Sequence, residues 1–440
     1  MARAATKTGG RSATTGVIPG RCALSVGKPD RAAPPRWRWT LLTDVARLET
    51  GHTPSRRHPE YWGGDVPWIG IRDATAAHGQ TLYETHERTN ELGIANSSAR
   101  VLPAETVCLS RTASVGYVVV MGRPMATSQD FVNWVCSDKI DYRFLKYVLL
   151  AEHDSLLMFA SGSVHQTIYF PEVKAFHVCL PPIEEQHRIA DFLGALDDKI
   201  ELNRGMNCTL EAISRAIFRS WFVNFDPVRQ MADGGDIGLP PTLAALFPNS
   251  LLESSLGLVP EGWLTGTIKD LFVLQRGFDL PKELRTAGPY PVLTSSGPTG
   301  SHSSFAAHGP GVVTGRSGRL GGVWVVGSDF WPLNTVLWVK EFRAAGPFYA
   351  YHFLQLADLE RFNSGSAVPT LNRNHVHRQP ALIPSASVVS AFERLAEPLF
   401  ARSRVSLDES VRLSGIRDAV MPRLLSGGRI DPPDDSSHLG

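Results

Sequence analysis

"FASGSVHQTIYFPEV", Phe159–Val173, reads as an ordinary polar loop until "FNSGSAVPTLNRNHV" begins at Phe362, aligned with it without a gap at an offset of 203. The likeness extends outward from these loops. "PPRWRWTLLTDVARLETG" (Pro34–Gly51) matches "PEGWLTGTIKDLFVLQRG" (Pro260–Gly277) at an offset of 226, pairing Trp37 with Trp263, Asp44 with Asp270 and Gly51 with Gly277. "SRTASVGYVVV" (Ser110–Val120) faces "GRSGRLGGVWVV" (Gly315–Val326) at an offset near 205. "LEAISRAIF" (Leu210–Phe218) faces "LSGIRDAVM" (Leu413–Met421) at 203. The chain is a tandem repeat, and its first copy holds about 23 extra residues ahead of the Ser-Gly-Ser loop.

A chain of 440 residues exceeds one ordinary core, so two or three domains are expected. With 43% hydrophobic and 20% charged residues it has the composition of a soluble globular protein. Its longest apolar runs, such as "YVVVM" at Tyr117–Met121, are far too short to span a bilayer. Five cysteines without a Cys-x-x-Cys pair read as reduced thiols of a cytoplasmic protein. A net charge of +1 does not announce a polyanion binder, so any such contact must come from local arginines or from partner chains. Residues 1–35, with six Lys/Arg against one acid and no apolar period, read as a disordered basic extension or an early start codon. A transit peptide has the same composition.

Each half splits into two parts. Residues 36–182 and 260–384 mix short apolar strands with Gly/Pro turns, and a short helix precedes the repeated loop; these are mixed α/β (α+β) globules. Residues 183–226 and 385–428 read as long helices, with 227–259 a linker and 429–440 a disordered tail. The first helix has Pro at its entry, acids early and arginines late, which suits the helix dipole. About 33 residues of helix would span roughly 50 Å, enough to hold two globules apart.

Apolar positions step by four and three through Phe192, Leu196, Lys199, Asn203, Met206, Leu210, Ile213 and Ile217. The second copy gives Leu395, Leu399, Arg402, Ser406, Glu409, Leu413, Ile416 and Val420. Both are coiled-coil-like seams with a polar middle, which costs stability but fixes register. Phe192, Leu196, Asn203, Leu210, Ile213, Ile217, Leu395, Leu399, Leu413, Ile416 and Val420 are therefore the expected helix-pair interface. A surface helix with an interrupted stripe is the alternative. Pro398 should kink the second helix or mark its start.

No catalytic site assembles from the sequence. There is no Gly-x-x-x-x-Gly-Lys-Ser/Thr phosphate loop, and "GRSGRLGG" leads into a strand, not a helix. "DPPD" (Asp431–Asp434) lacks the aromatic that a base-amine methyltransferase motif requires. His375 and His377 have no neighbouring Cys or acid cluster and read as solvated histidines, so no metal site is expected. Binding is better supported. Glycine-flanked loops offer Arg72, Arg111, Thr112, Ser163, His165 and Gln166 in the first half. The second half offers Arg316, Ser317, Arg319, Ser366, Thr370, Asn372 and Arg373. Arg suits guanine O6/N7, and Gln or Asn suits adenine N6/N7. Each residue taken alone also fits a turn or a surface charge; the pairing of two such loops on two frames is what suggests a two-site reader.

"LPPIEEQHRIADFLGALDDKI" (Leu180–Ile200), "AIFRSWFVNFDPV" (Ala216–Val228) and "IRDAVMPRLLSGGRI" (Ile416–Ile430) closely resemble the specificity subunit of type I restriction-modification systems. "IPSASVVSAFERL" (Ile383–Leu395) departs from the Pro-Pro-x-Glu-Glu-Gln form of the first copy. The resemblance implies two target-recognition domains, each reading half of a split double-stranded DNA sequence, and two long helices packed antiparallel as a spacer. It also implies docking of two methyltransferase subunits and of restriction/translocase subunits. Catalysis, S-adenosylmethionine, ATP and Mg would then reside on those partners and not on this chain. The competing readings are an adaptor without DNA reading and the non-catalytic remnant of a single-chain restriction-methylation enzyme.

Overall fold

The computed structural model describes residues 16–161, 166–235, 237–365 and 368–428. It divides into two compact units, one reaching to Glu201 and resuming at Ser410, the other Leu202–Glu409. Each unit has the mixed α/β character read from the sequence. Each also takes one half of each long helix, which run over Ile183–Arg219 and Ala386–Leu424.

The first unit is built on a five-stranded sheet in the order Ala46–Thr50, Phe131–Cys136, Val107–Ser110, Val118–Met121, Thr81–Leu82. All neighbours are antiparallel except the last pair. In the second unit Phe272–Arg276, Val336–Phe342, Gly311–Gly315 and Val323–Val326 form the corresponding antiparallel sheet. Strand for strand, the two sheets are displaced by the same 226 and 205 residues that relate the sequence repeats. "VCLS" and "VVVM" are fully buried strands, apolar on both faces because helices and a second sheet cover them. Tyr142–Ala151 and Pro347–Leu356 are the short helices expected before the repeated loops.

Three expectations need correction. Residues 16–35 are not a disordered extension. Ile18–Pro19 and Leu24–Val26 pair in a four-stranded sheet, the latter directly with Phe176–Leu180, and Ala23, Leu24 and Val26 lie in the core. The segment's fold depends on a remote anchor, the buried Glu152. Its Oε1 accepts the amides of Cys22 at 2.6 Å, Ala23 at 2.7 Å and Leu24 at 3.1 Å, while Oε2 accepts that of Arg21 at 2.7 Å. Composition could not reveal that contact.

The segment after the first long helix is also more than a linker. A wide turn (Ser220–Asn224) leads to Phe225 in the left-handed region, then to the helix Asp226–Ala232 and the hairpin Leu251–Ser254/Gly257–Pro260. Val228 and Phe247 join the second unit's core.

The third correction concerns the long helices. The second does not start at Pro398 but begins at Ala386 and continues past it. Inside the second unit the helices are antiparallel, with Asn203 Nδ2 donating to Glu409 Oε2 at 2.9 Å and Met206 Sδ facing Arg402 and Ser406. The expected seam is partly out of phase. Asn203 is buried and Phe192, Leu196, Leu210, Ile217, Leu399, Leu413 and Val420 are half-buried, but Ile213, Leu395 and Ile416 are exposed. The buried stripe passes instead through Leu193, Ile200, Ser214 and Phe218, and through Phe392, Ala396, Ser406 and Met421. A straight helix drifts from a strict seven-residue repeat, and the outer turns turn their largest side chains to the globules. Phe218, Trp221, Phe222 and Phe392 are part of the second unit's core, and Leu193 and Met421 of the first's.

Candidate nucleic-acid interface

In both units the repeated loop docks just beyond the end of an interior strand of the main sheet, Val107–Ser110 in the first and Gly311–Gly315 in the second. Thr112 bridges Thr167 in the first unit, and Ser317 bridges Thr370 in the second. Ile168 donates its amide to Arg111 O at 2.8 Å, and Leu371 donates to Arg316 O at 2.7 Å. Arg111 N donates to Asp130 O (2.7 Å), as Arg316 N does to Thr335 O (2.9 Å). The start of the loop closes on its end through Ser161 N to Thr167 O (3.0 Å) and Ser364 N to Thr370 O (2.8 Å).

A further segment enters each junction. His52 N donates to Thr127 O at 2.9 Å, and Phe278 N to Pro332 O at 2.8 Å. The preceding glycines, Gly51 and Gly277, permit this approach. A Cβ on either would overlap the carbonyl of Ser128 or of Leu333, so a residue without a side chain is required there.

Arg111 and Arg316 occupy one structural position. Each is half-buried and donates from its guanidinium to a backbone carbonyl: Arg111 Nη2 to Gln129 O at 3.2 Å, Arg316 Nη1 to Asn334 O at 3.1 Å. The Arg111 guanidinium also lies 4.6 Å from the centre of the Phe170 ring. Burial depresses the pKa of both arginines, opposed at Arg111 by Asp130 and reinforced at Arg316 by the nearby Arg276 charge. Both remain cations at any physiological pH. They staple the ends of interior strands to the segments carrying Gln129 and Asn334.

The remaining sequence candidates separate by location. Thr112, Ser317 and Thr370 lie within the junctions, with Thr112 Oγ1 2.8 Å from Thr167 Oγ1, and Gln166 is exposed beside Thr167. Arg319 is exposed on the loop that returns past Gly315. Asn372 caps the helix Arg373–His377 by accepting the Asn374 amide at 3.0 Å, and Arg373 is exposed on its first turn. Arg72 stands elsewhere, on the helix Ile71–Ala76, with Nη1 2.6 Å from His86 Nε2. Ser163, His165 and Ser366 lie outside the described residues. His377 is not solvated as expected: it is buried and its Nε2 accepts the Leu274 amide at 2.9 Å. Among the described residues no group of three or more His, Cys, Asp or Glu is placed to hold a metal ion. No described helix is long and apolar enough to cross a membrane.

Four exposed or half-exposed polar residues at the junctions escaped the sequence reading: Thr53 and Gln129 in the first unit, Asp279 and Asn334 in the second. Thr53 Oγ1 donates to Gln129 Oε1, and Asn334 Nδ2 donates to Asp279 Oδ1. Positions 53 and 279 are 226 apart, and 129 and 334 are 205 apart. The offsets of the visible repeats could have located them, although "TSQD" and "PLNT" differ at every aligned position.

The junctions, the repeated sheets and the long helices invite comparison with known proteins. Residues 34–212 match the family described as Type I restriction modification DNA specificity domain. The MjaIX specificity subunit of Methanocaldococcus jannaschii, a type I restriction enzyme component, is 24% identical over 422 residues, covering 90% of this chain and 94% of that one. The HindI specificity subunit of Haemophilus influenzae is 24% identical over 401 residues, covering 70% of this chain and 83% of its own.

Residues 34–212 carry the type I specificity domain, and the chain is similar to type I specificity subunits over most of its length.

The fold agrees. The crystal structure of a type I restriction-modification S subunit from M. genitalium superposes with a TM-score of 0.56 at 16% identity, covering 88% of this chain and 96% of that one.

Proposed function

We propose that this chain is the DNA sequence-specificity subunit of a type I restriction-modification complex. It reads a two-part double-stranded target, one half through each unit, and performs no catalysis itself. The observation that carries this reading is the duplicated junction: one backbone framework, held by Arg111 and by Arg316, presents different polar side chains in the two units. Phosphate contacts position such a protein and base-edge contacts specify. Thr112, Gln166, Ser317, Arg319 and Arg373, with Arg72 and His165, supply the base-edge contacts, and Thr370, Ser163 and Ser366, alike in the two copies, supply phosphate contacts. Arg111, Arg316 and Asn372 hold the loops that carry them.

The two long helices dock two methyltransferase subunits, and the assembly recruits restriction/translocase subunits. S-adenosylmethionine, ATP and Mg belong to those chains. A modest net charge suffices when partners share the phosphate contacts. The test is co-expression with a type I methyltransferase subunit that binds this chain, followed by sequencing-based mapping of methylated adenines. A motif of two defined parts with a fixed undefined gap, lost on deletion of this chain, is the expected result. Bound methyltransferase without chain-dependent methylation would leave an adaptor as the better description.

A further inference from the structure

We infer that Gln129 with Thr53, and Asn334 with Asp279, are equivalent base-reading pairs, one for each half of the DNA target. The inference rests on the DNA-reading function proposed above and assigns where in each unit discrimination is made.

Three observations converge on these pairs. First, they occupy one position in the two junctions, since Arg111 donates to the carbonyl of Gln129 and Arg316 to that of Asn334. The backbone bearing each amide side chain is thereby held by the same staple. Second, the framework is conserved within the chain while this position varies. Gly51 and Gly277, Arg111 and Arg316, Ser161 and Ser364, and Thr167 and Thr370 are identical pairs. Thr53 and Gln129 become Asp279 and Asn334. A frame used twice for different half-sites should keep the residues that build it and change those that read.

Third, each amide is oriented before any ligand arrives. The hydroxyl of Thr53 holds the Gln129 oxygen, and the Asp279 carboxylate holds the Asn334 amino group. Gln129 and Asp279 are nevertheless exposed. A largely exposed polar pair gains little in stability from fixing a rotamer, whereas recognition gains from preorganisation.

The two pairs present different chemistry. Asn334 gives one of its two amino hydrogens to Asp279, so beside the remaining N–H the second unit offers acceptors, the Asp279 carboxylate and Asn334 Oδ1. These suit an exocyclic amine, cytosine N4 or adenine N6. Arg276 Nη2 lies 3.7 Å from Asp279 Oδ2 and, with Arg316, offsets the carboxylate charge near DNA. In the first unit the Gln129 oxygen is engaged and its Nε2 remains to donate, which suits guanine O6/N7, adenine N7 or thymine O4.

The test uses the full chain co-expressed with its methyltransferase partner, comparing methylation motifs of wild type, Asp279→Asn, Asn334→Ala and Gln129→Ala, with recovery of the assembled complex as a second readout. Asp279→Asn and Asn334→Ala should relax one A- or C-bearing position in one half of the motif by about fivefold or more, leaving the other half unchanged. Gln129→Ala should relax one position in the opposite half only. Assembled variants that keep every position within twofold of wild type would overturn the assignment. So would failure of both Asp279→Asn and Asn334→Ala to assemble, which would make the pair structural. A wild-type complex yielding no two-part motif would instead overturn the DNA-reading function itself.

Discussion

A single buried carboxylate decides whether the first twenty described residues belong to the fold. Glu152 is fully buried, and Ser155 Oγ and the backbone amides of residues 21–24 all donate to it. A carboxylate offers only acceptors, which is what a turn of successive amides demands. Gly20 completes the turn, since a Cβ there would overlap Leu24 O. Glu152→Gln places an NH2 where one oxygen now accepts, setting donor against donor. The expected cost is about 3 kcal/mol, the loss of one or two charge-assisted hydrogen bonds in a buried site. Urea denaturation followed through the first unit's buried Trp134 would register it. An unchanged midpoint would mean that the carboxylate is replaceable. Arg111 and Arg316 teach a related lesson: residue type suggested base readers, and their carbonyl partners assign them to the frame.

At the scale of elements, the two units secure equivalent helix starts by different means. In the first, Gln186 Oε1 accepts the Asp141 amide at 3.0 Å while its amino group donates to Pro181 O and Lys139 O. In the second, Glu393 accepts the amides of Phe348 at 3.2 Å and Tyr349 at 2.8 Å. Burial outweighs those amides, and with Glu397 nearby the Glu393 carboxyl is pushed up from its ordinary 4.5 to about 7. A carboxyl whose pKa is higher folded than unfolded binds its proton more tightly in the native state. Its contribution is therefore most favourable below pH 4.5 and is lost as pH rises to about 7, by up to roughly 3 kcal/mol at 1.36 kcal/mol per pH unit. Glu393→Gln should be the more stable protein at pH 8 and lose its advantage near pH 5, as urea midpoints across that range would reveal. Parallel pH curves for the two proteins would refute the cause. Pro398 makes a second case on the same helix. The helix continues through it although proline lacks the amide for the preceding turn. Pro398→Ala, at an exposed position, should raise the unfolding midpoint by the equivalent of about 1–3 kcal/mol; a lower midpoint would show that the ring itself packs usefully.

For the molecule as a whole, the repeat was legible because it is written in glycines, tryptophans and serines that the frame cannot exchange. Gly51 and Gly277 are visible in the sequence for the same steric reason that they matter in the fold. The long helices were legible from period and from Pro-Pro-x-Glu-Glu-Gln. The seam phase was not, because Phe218 and Phe392 answer to a globule as well as to a neighbouring helix. Thr53, Gln129, Asp279 and Asn334 were hidden by the very divergence that suggests their role. The N-terminal segment was misread because its order is borrowed from Glu152, about 130 residues away in sequence. That dependence yields a test of where the first unit begins. A chain starting at Arg36 loses Leu24–Val26, one of the two neighbours of Phe176–Leu180, together with the buried side chains of Ala23, Leu24 and Val26. Burial of Leu24 and Val26 alone is worth about 1.5–3 kcal/mol each, a large fraction of a domain's stability. Glu152 and Ser155 would also face a void without donors. Hydrogen exchange should show the amides of Phe176–Leu180 losing at least tenfold in protection relative to the full chain, while strands Val312–Gly315 and Val336–Val339 of the second unit keep theirs. Equal protection of Phe176–Leu180 in both chains would place the true edge of the first unit after residue 35.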